Sequence, residues 1–132
     1  MNAFIVKGQD RPGGLAEVAE AVAERGINIT SIAGITWDGV GAIALTTNDE
    51  AGTRSILAQK GFETREVELV PASLEDKPGA LAGITRKLAD AGINLELLLP
   101  MGMRDGKVTV AFATSDAAKT RATISMESLA SA

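Results

Sequence analysis

Apolar residues recur along the chain at two periods, and the two alternate. Ala3 to Val6 is a short unbroken run, the length of a strand. Leu15, Val18, Ala19, Val22 and Ala23 then fall at i, i+3, i+4, i+7 and i+8, which puts one apolar stripe on a helix. Gly26 stands where a left-handed helix cap is wanted. The β-branched stretch Ile27 to Thr36 predicts a second strand, Asp38-Gly39 a hairpin turn, and Val40 to Thr47 the returning strand. A second helix is expected over about Asp49 to Lys60, and a closing strand near Glu63 to Val70. The cycle then repeats. Val67 to Val70 is the next apolar run, and Leu81, Ile84, Leu88 and Ala89 form the stripe. Gly92 caps, Ile93 to Met101 and Lys107 to Thr114 are strands around Asp105-Gly106, and a helix runs from Asp116 to roughly Leu129.

The second cycle is a copy of the first. Asp10-Arg11-Pro12-Gly13-Gly14-Leu15-Ala16 recurs as Asp76-Lys77-Pro78-Gly79-Ala80-Leu81-Ala82, and Gly26-Ile27-Asn28-Ile29 as Gly92-Ile93-Asn94-Leu95, both offset by 66 in a chain of 132 residues. Nine of the twenty positions from Asp10 to Ile29 are identical. The matches fall on Pro, Gly, Asp and Asn as well as on apolar positions. The order β-α-β-β-α-β is the ferredoxin-like plan, with helices on one face of an antiparallel sheet. The expected fold is therefore α+β, two such units in tandem over residues 1–70 and 71–132. The segment 63–74 is long enough to end one unit and begin the next, interrupted by Pro71. The second unit has no residues left for a fourth strand, since Ser125 to Ala132 reads as fraying helix or tail. An open strand edge is a liability, so a partner chain or the N-terminal strand is expected to cover it.

The repeated motif has a local chemistry. Pro12 and Pro78 stand where a first helical position is expected. Asp10 and Asp76 precede them and can accept from first-turn N–H groups. Gly13 and Gly79 remove side chains where the backbone turns. A helix start with bare N–H donors suits a carboxylate or phosphate. Asn28 and Asn94, just after the helix, offer both donor and acceptor to a zwitterion. The same residues are also good helix-start and helix-stop grammar.

Asp-x-Pro-Gly-x-Leu, a helix of about a dozen residues and Gly-Ile-Asn-Ile, in this order on β-α-β-β-α-β, resembles the ACT domain, in both copies and over nearly the whole chain. The resemblance implies a non-catalytic regulatory module that binds a small amino acid at the interface between ACT units. There the strand-to-helix loop of one unit would face the edge strand of another. It implies that Asp10, Arg11, Pro12, Gly13, Gly14 and Leu15 bind ligand, with Asn28 and Ile29. In the second copy it implies Asp76, Pro78, Gly79, Ala80, Leu81, Asn94 and Leu95. It also implies a homodimer and a partner enzyme or regulator. The alternative is a structural or assembly subunit with no small ligand. Pro100 lies in the second copy's edge strand, where the ladder must stop or bulge.

Composition narrows the remaining classes. There is no Cys, His or Tyr, which removes disulfides, Cys/His zinc sites, thiol nucleophiles and His bases. No cofactor and no metal is expected, although Asp10 and Asp76 could share a hard cation if their loops met. Lys plus Arg number 13 and Asp plus Glu 17, a net charge of −4, with three Phe and one Trp. Neither charge nor stacking residues favour nucleic acid or anionic membranes. No Gly-Lys-[Ser/Thr] loop and no Gly-x-Gly-x-x-Gly after a strand is present. The start is too short in apolar residues for a signal peptide, and nothing approaches 18 apolar residues, so a cytoplasmic protein is expected. Glu17, Glu20 and Glu24 read as the solvated face of the first helix. Trp37, at a hairpin tip, reads as a plug over the end of the core, with partner contact as its other use. Met101-Gly102-Met103 reads as gap-filling, with adaptable contact surface as the alternative.

Overall fold

The computed structural model describes residues 1–131, and for Gln9 and residues 125–131 it describes the backbone alone. The chain divides into two compact units, one of Asn2–Val67 and one of Met1 with the chain from Glu68 onward. In the first, β1 (Asn2–Gln9), β2 (Ile29–Trp37), β3 (Val40–Thr47) and β4 (Glu63–Glu68) form a sheet in the order β2-β3-β1-β4, with α1 (Gly14–Glu24) and α2 (Glu50–Gln59). Phe4 and Val6 of β1 face Leu45 and Ile43 of β3 in register. The core joins Phe4, Val6 and Leu45 to Val18, Ala21 and Val22 of α1 and Ile56 and Leu57 of α2. Burying each such branched or aromatic side chain contributes about 1.5–3 kcal/mol.

In the second unit β5 (Val70–Glu75), β6 (Leu95–Arg104) and β7 (Lys107–Thr114) form a three-stranded sheet in the order β5-β7-β6, with α3 (Ala80–Asp90) and α4 (Ala117–Ser131). The fold is the expected α+β tandem, and the second unit stops one strand short. Its core gathers Ala72, Ile84, Leu88, Ile93, Val110 and Phe112. Both hairpins turn on left-handed pairs, Asp38 (φ 51°) with Gly39 (φ 80°) and Asp105 (φ 54°) with Gly106 (φ 75°). The offset between the repeats is 66 as far as Pro100 and 67 from the second hairpin on. The extra residue is Met101: Pro100 pairs Val110 and Gly102 pairs Thr109, leaving Met101 in a bulge. The ladder thus bulges where proline required it to.

Several expectations need correction. Val67 to Val70 is not one strand. Val67 belongs to β4 and Val70 opens β5, and the break falls at Leu69, not Pro71. Pro71 lies inside β5 opposite Ala111, on an edge strand where a missing donor is tolerated. Val67, Leu69 and Val70 are all buried and so read as one apolar run, although Val67 serves the first sheet, Val70 the second and Leu69 neither. The helical stripe is narrower than its spacing implied. Leu15, Ala23, Leu81 and Ala89 are exposed, and Ala21 is buried instead of Ala23. Trp37 is 83% exposed and plugs nothing, and Met103 at 65% fills no gap. The backbone of α4 continues to Ser131, so no tail begins at Ser125. The side chains expected to fray there, and Ala132, lie outside the described residues.

Candidate functional site

Both Asp-x-Pro-Gly loops fold alike, and not as expected. Pro12 is not the first helical residue. Arg11-Pro12-Gly13-Gly14 is a four-residue turn closed by the Gly14 N–H donating to the Arg11 carbonyl (3.3 Å), with Gly13 at φ 88°, ψ −7°. Lys77-Pro78-Gly79-Ala80 repeats it: the Ala80 N–H donates to Lys77 (3.3 Å), and Gly79 has φ 88°, ψ −12°. Proline second and a left-handed glycine third define a type II turn. Side chains clash at such a φ, so Gly13 and Gly79 are glycines by conformation. The helix follows at once, and Glu17 and Gly83 donate to the Gly13 and Gly79 carbonyls (3.0 and 2.9 Å).

Asp10 and Asp76 do not cap these helices. Neither α1 nor α3 has a side-chain cap. Instead the Asp10 N–H donates to Gly39 (3.2 Å) and the Asp76 N–H to Gly106 (3.1 Å), tying each loop to the tip of its hairpin. The N–H groups of Leu15 and Ala16, and of Leu81 and Ala82, meet no acceptor among the described residues. The donors that a carboxylate needs are therefore present at both loops.

Beside the first loop lies a cleft of about 670 Å³. Asp10, Arg11, Gly14, Leu15 and Glu17 line it on one side, Val6, Gly8, Gly41 and Ile43 on the sheet side, and Phe62 at its end. The Arg11 Nη2 donates to both Glu17 carboxylate oxygens (2.8 and 2.9 Å), an exposed charge-assisted pair beside the cleft. In the second unit the counterpart of Glu17 is Gly83, and Lys77 turns back to Glu75 (2.9 Å), whose carboxyl its hydrogen bond and charge hold below the usual range.

Of the residues expected to bind ligand in the first unit, the cleft brings together Asp10, Arg11, Gly14 and Leu15, with Pro12 and Gly13 in the adjoining turn. Asn28 and Ile29 are not brought there. Ile29 starts β2 and Asn28 directly precedes it, and the strand's far end, Trp37, pairs Val40 near the loop. At about 3.3 Å per residue the strand separates them from the loop by roughly 25 Å. The Asn28 N–H donates to Asn48 Oδ1 (3.0 Å), and the Asn48 N–H to the Asn28 carbonyl (3.1 Å). Asn94 does the same with Ser115. Ile29 and Leu95 pack against the two cores. The strand glycines Gly8 and Gly41 and the apolar wall at Ile43 and Phe62 escaped the sequence reading. Their signal is two glycines inside otherwise apolar strands. Among the described residues no group of three acidic or other metal-ligating side chains converges.

A family model for the ACT domain matches residues 3–59. No curated protein matches the chain by sequence. Among solved structures, a protein from Bacteroides thetaiotaomicron is similar at a TM-score of 0.80 and 20% identity, covering 96% of this chain and 88% of that one. The regulatory subunit of aspartate kinase from Thermus thermophilus is similar at 0.67 and 20%, covering 93% and 87%. The alpha and beta subunits of an aspartokinase match at 0.62 and 25%, covering 85% and 81%. Residues 3–59 match the ACT-domain family model, and the second unit repeats the fold of the first without its last strand.

Proposed function

We propose that the chain is a cytoplasmic, non-catalytic regulatory protein that binds a small amino acid and passes the event to a partner enzyme or regulator. One observation carries the reading: two type II turns hold uncapped helix starts, with the Leu15/Ala16 and Leu81/Ala82 amides meeting no acceptor among the described residues. The ligand carboxylate meets these donors. The ammonium is held by Asn28 or Asn94 of a facing ACT unit in a second copy of the chain, since no single unit brings loop and Asn together. β2 is an edge strand with Ile32, Ile35 and Trp37 exposed, which suits pairing with another copy. A ligand that bridges two units favours one packing over another, and binding becomes conformation.

The test is a thermal-shift screen of the twenty amino acids. At least one raises the melting temperature with concentration, and Gly13→Asp and Asn28→Ala weaken the response. A flat response to all twenty ends the proposal.

A further inference from the structure

Resting on that reading, we infer that the first unit alone accommodates the ligand's side chain, in the cleft opened by a facing glycine pair, and that this side chain is apolar. Gly8 of β1 and Gly41 of β3 are direct cross-strand partners. They continue the face that carries Phe4–Leu45 and Val6–Ile43, at the sheet end beneath the start of α1. Gly34 of β2 pairs Ile43 on the same face. None of the three has a positive φ, so no turn or bulge demands glycine there. A Cβ built on Gly8 would meet nothing within 4 Å. A glycine in mid-strand weakens the sheet and leaves a packing gap. Three on one face at ordinary φ, with open space beside Gly8 and all three lining the cleft, keep a cavity clear.

The second unit shows what the same positions do when no cavity is kept. The counterparts of Gly8 and Gly41 are Leu74 and Val108, again direct partners, and both pack against the core. The counterpart of Gly34 is Pro100. Among the described residues the second unit has no equivalent of the α2–β4 turn that supplies Phe62. The interior of the first cleft, lined by Val6, Val18, Ile43 and Phe62, is apolar; of its charged groups Arg11 pairs with Glu17 and Lys7 with Glu63 at exposed positions, and Asp10 lies exposed at the loop. An aliphatic or aromatic side chain therefore enters, and a charged or hydroxylated one loses its hydration without replacement.

The decisive variant is Gly8→Leu/Gly41→Val, which copies a pair this fold already holds. Calorimetry on the wild-type chain finds one ligand per chain, with leucine, isoleucine, valine or phenylalanine at least tenfold tighter than aspartate, lysine or serine. The double variant keeps its circular dichroism and loses at least tenfold in affinity. Methyl chemical-shift mapping of the wild type, which needs no variant to fold, shows Val6, Val18 and Ile43 perturbed and Ile84, Val108 and Val110 unmoved. Undiminished binding by the double variant, two equivalent ligands per chain, polar amino acids preferred, or perturbed second-unit methyls overturn this inference and leave the regulatory reading standing. A wild-type chain that binds none of the twenty overturns both.

Discussion

At the two Asp-x-Pro-Gly loops the backbones of the repeats are nearly superimposable in conformation, whereas one turn deeper their side chains diverge. Gly13 and Gly79 share φ 88°, and each loop is tied to its hairpin tip by the same amide. Beneath the first loop lies a glycine pair, and beneath the second Leu74 and Val108. The comparison separates two demands. Backbone grammar is duplicated because both units need it to leave a strand and start a helix. Side-chain space is free to differ, and it differs even in the cores. Phe4 opposes Leu45 in the first unit. The matching pair in the second is Val70 opposite Phe112, so the aromatic has crossed to the other strand. All four are buried. Phe4→Ala and Phe112→Ala should each cost about 3–5 kcal/mol in urea denaturation. Phe4→Val combined with Leu45→Phe, which copies the second unit, should recover most of the loss from Phe4→Val alone. Strict additivity of those two changes would show that the pairs are not interchangeable.

A smaller effect tests what the units share. Thr47 and Thr53 are linked through their hydroxyls (2.7 Å), and Thr53 donates to the Asp49 carbonyl (2.8 Å). Thr114, Thr120 and Asp116 repeat this at 2.7 and 2.7 Å. Thr53 and Thr120 are fully buried, so each hydroxyl locks the strand-to-helix joint from inside. Thr53→Val and Thr120→Val should each cost about 1–3 kcal/mol by leaving a buried hydrogen-bonding group unmatched. Unequal losses would show that the joints differ despite their common geometry.

The order of elements was legible because period and punctuation agree: β3 and β7 run over the expected residues, and both Asp-Gly turns formed. The helix starts were not. Pro-Gly before an apolar stripe satisfies a helix whose first residue is proline and equally a type II turn that precedes it. The φ of Gly13 decides between them, and no sequence period reports φ. Leu15 and Leu81 kept the stripe's spacing yet are exposed, because spacing sets which face of a helix is apolar and not how far that face is covered. The cleft stayed hidden because a cavity is made by side chains that are missing, and Gly8 and Gly41 are 33 positions apart, joined only by sheet register. Gly13→Ala and Gly79→Ala should each cost about 1–2 kcal/mol, from a side chain forced to positive φ. Equal losses would mark the turn as shared scaffolding. A loss at Gly13 alone would tie its conformation to the cleft.

The weakest expected effect concerns the helix arginines. Arg54 of α2 and Arg121 of α4 occupy matching positions, but Arg54 pairs with Glu66 and Arg121 with Glu68. The Arg54 Nε and Nη2 donate to the two Glu66 oxygens (2.7 and 2.8 Å), and Asn2 Nδ2 adds a third bond (2.6 Å). These bonds, the arginine's first, hold the Glu66 carboxyl down to about 2. A carboxyl depressed on folding stabilises the protein above its unfolded value of about 4.5 and stops doing so as pH falls toward 2. Because Arg54 is half exposed, solvent screens the pair, and about 1 kcal/mol or less is expected at neutral pH. Wild type should exceed Glu66→Gln by that amount in urea midpoints at pH 7. The gap should narrow below pH 4.5 and be mostly lost by about pH 2, where the folded wild-type carboxyl is half protonated. A gap that held constant from pH 7 to pH 2 would mean that the interaction is one of shape and hydrogen bonding, with no charge in it.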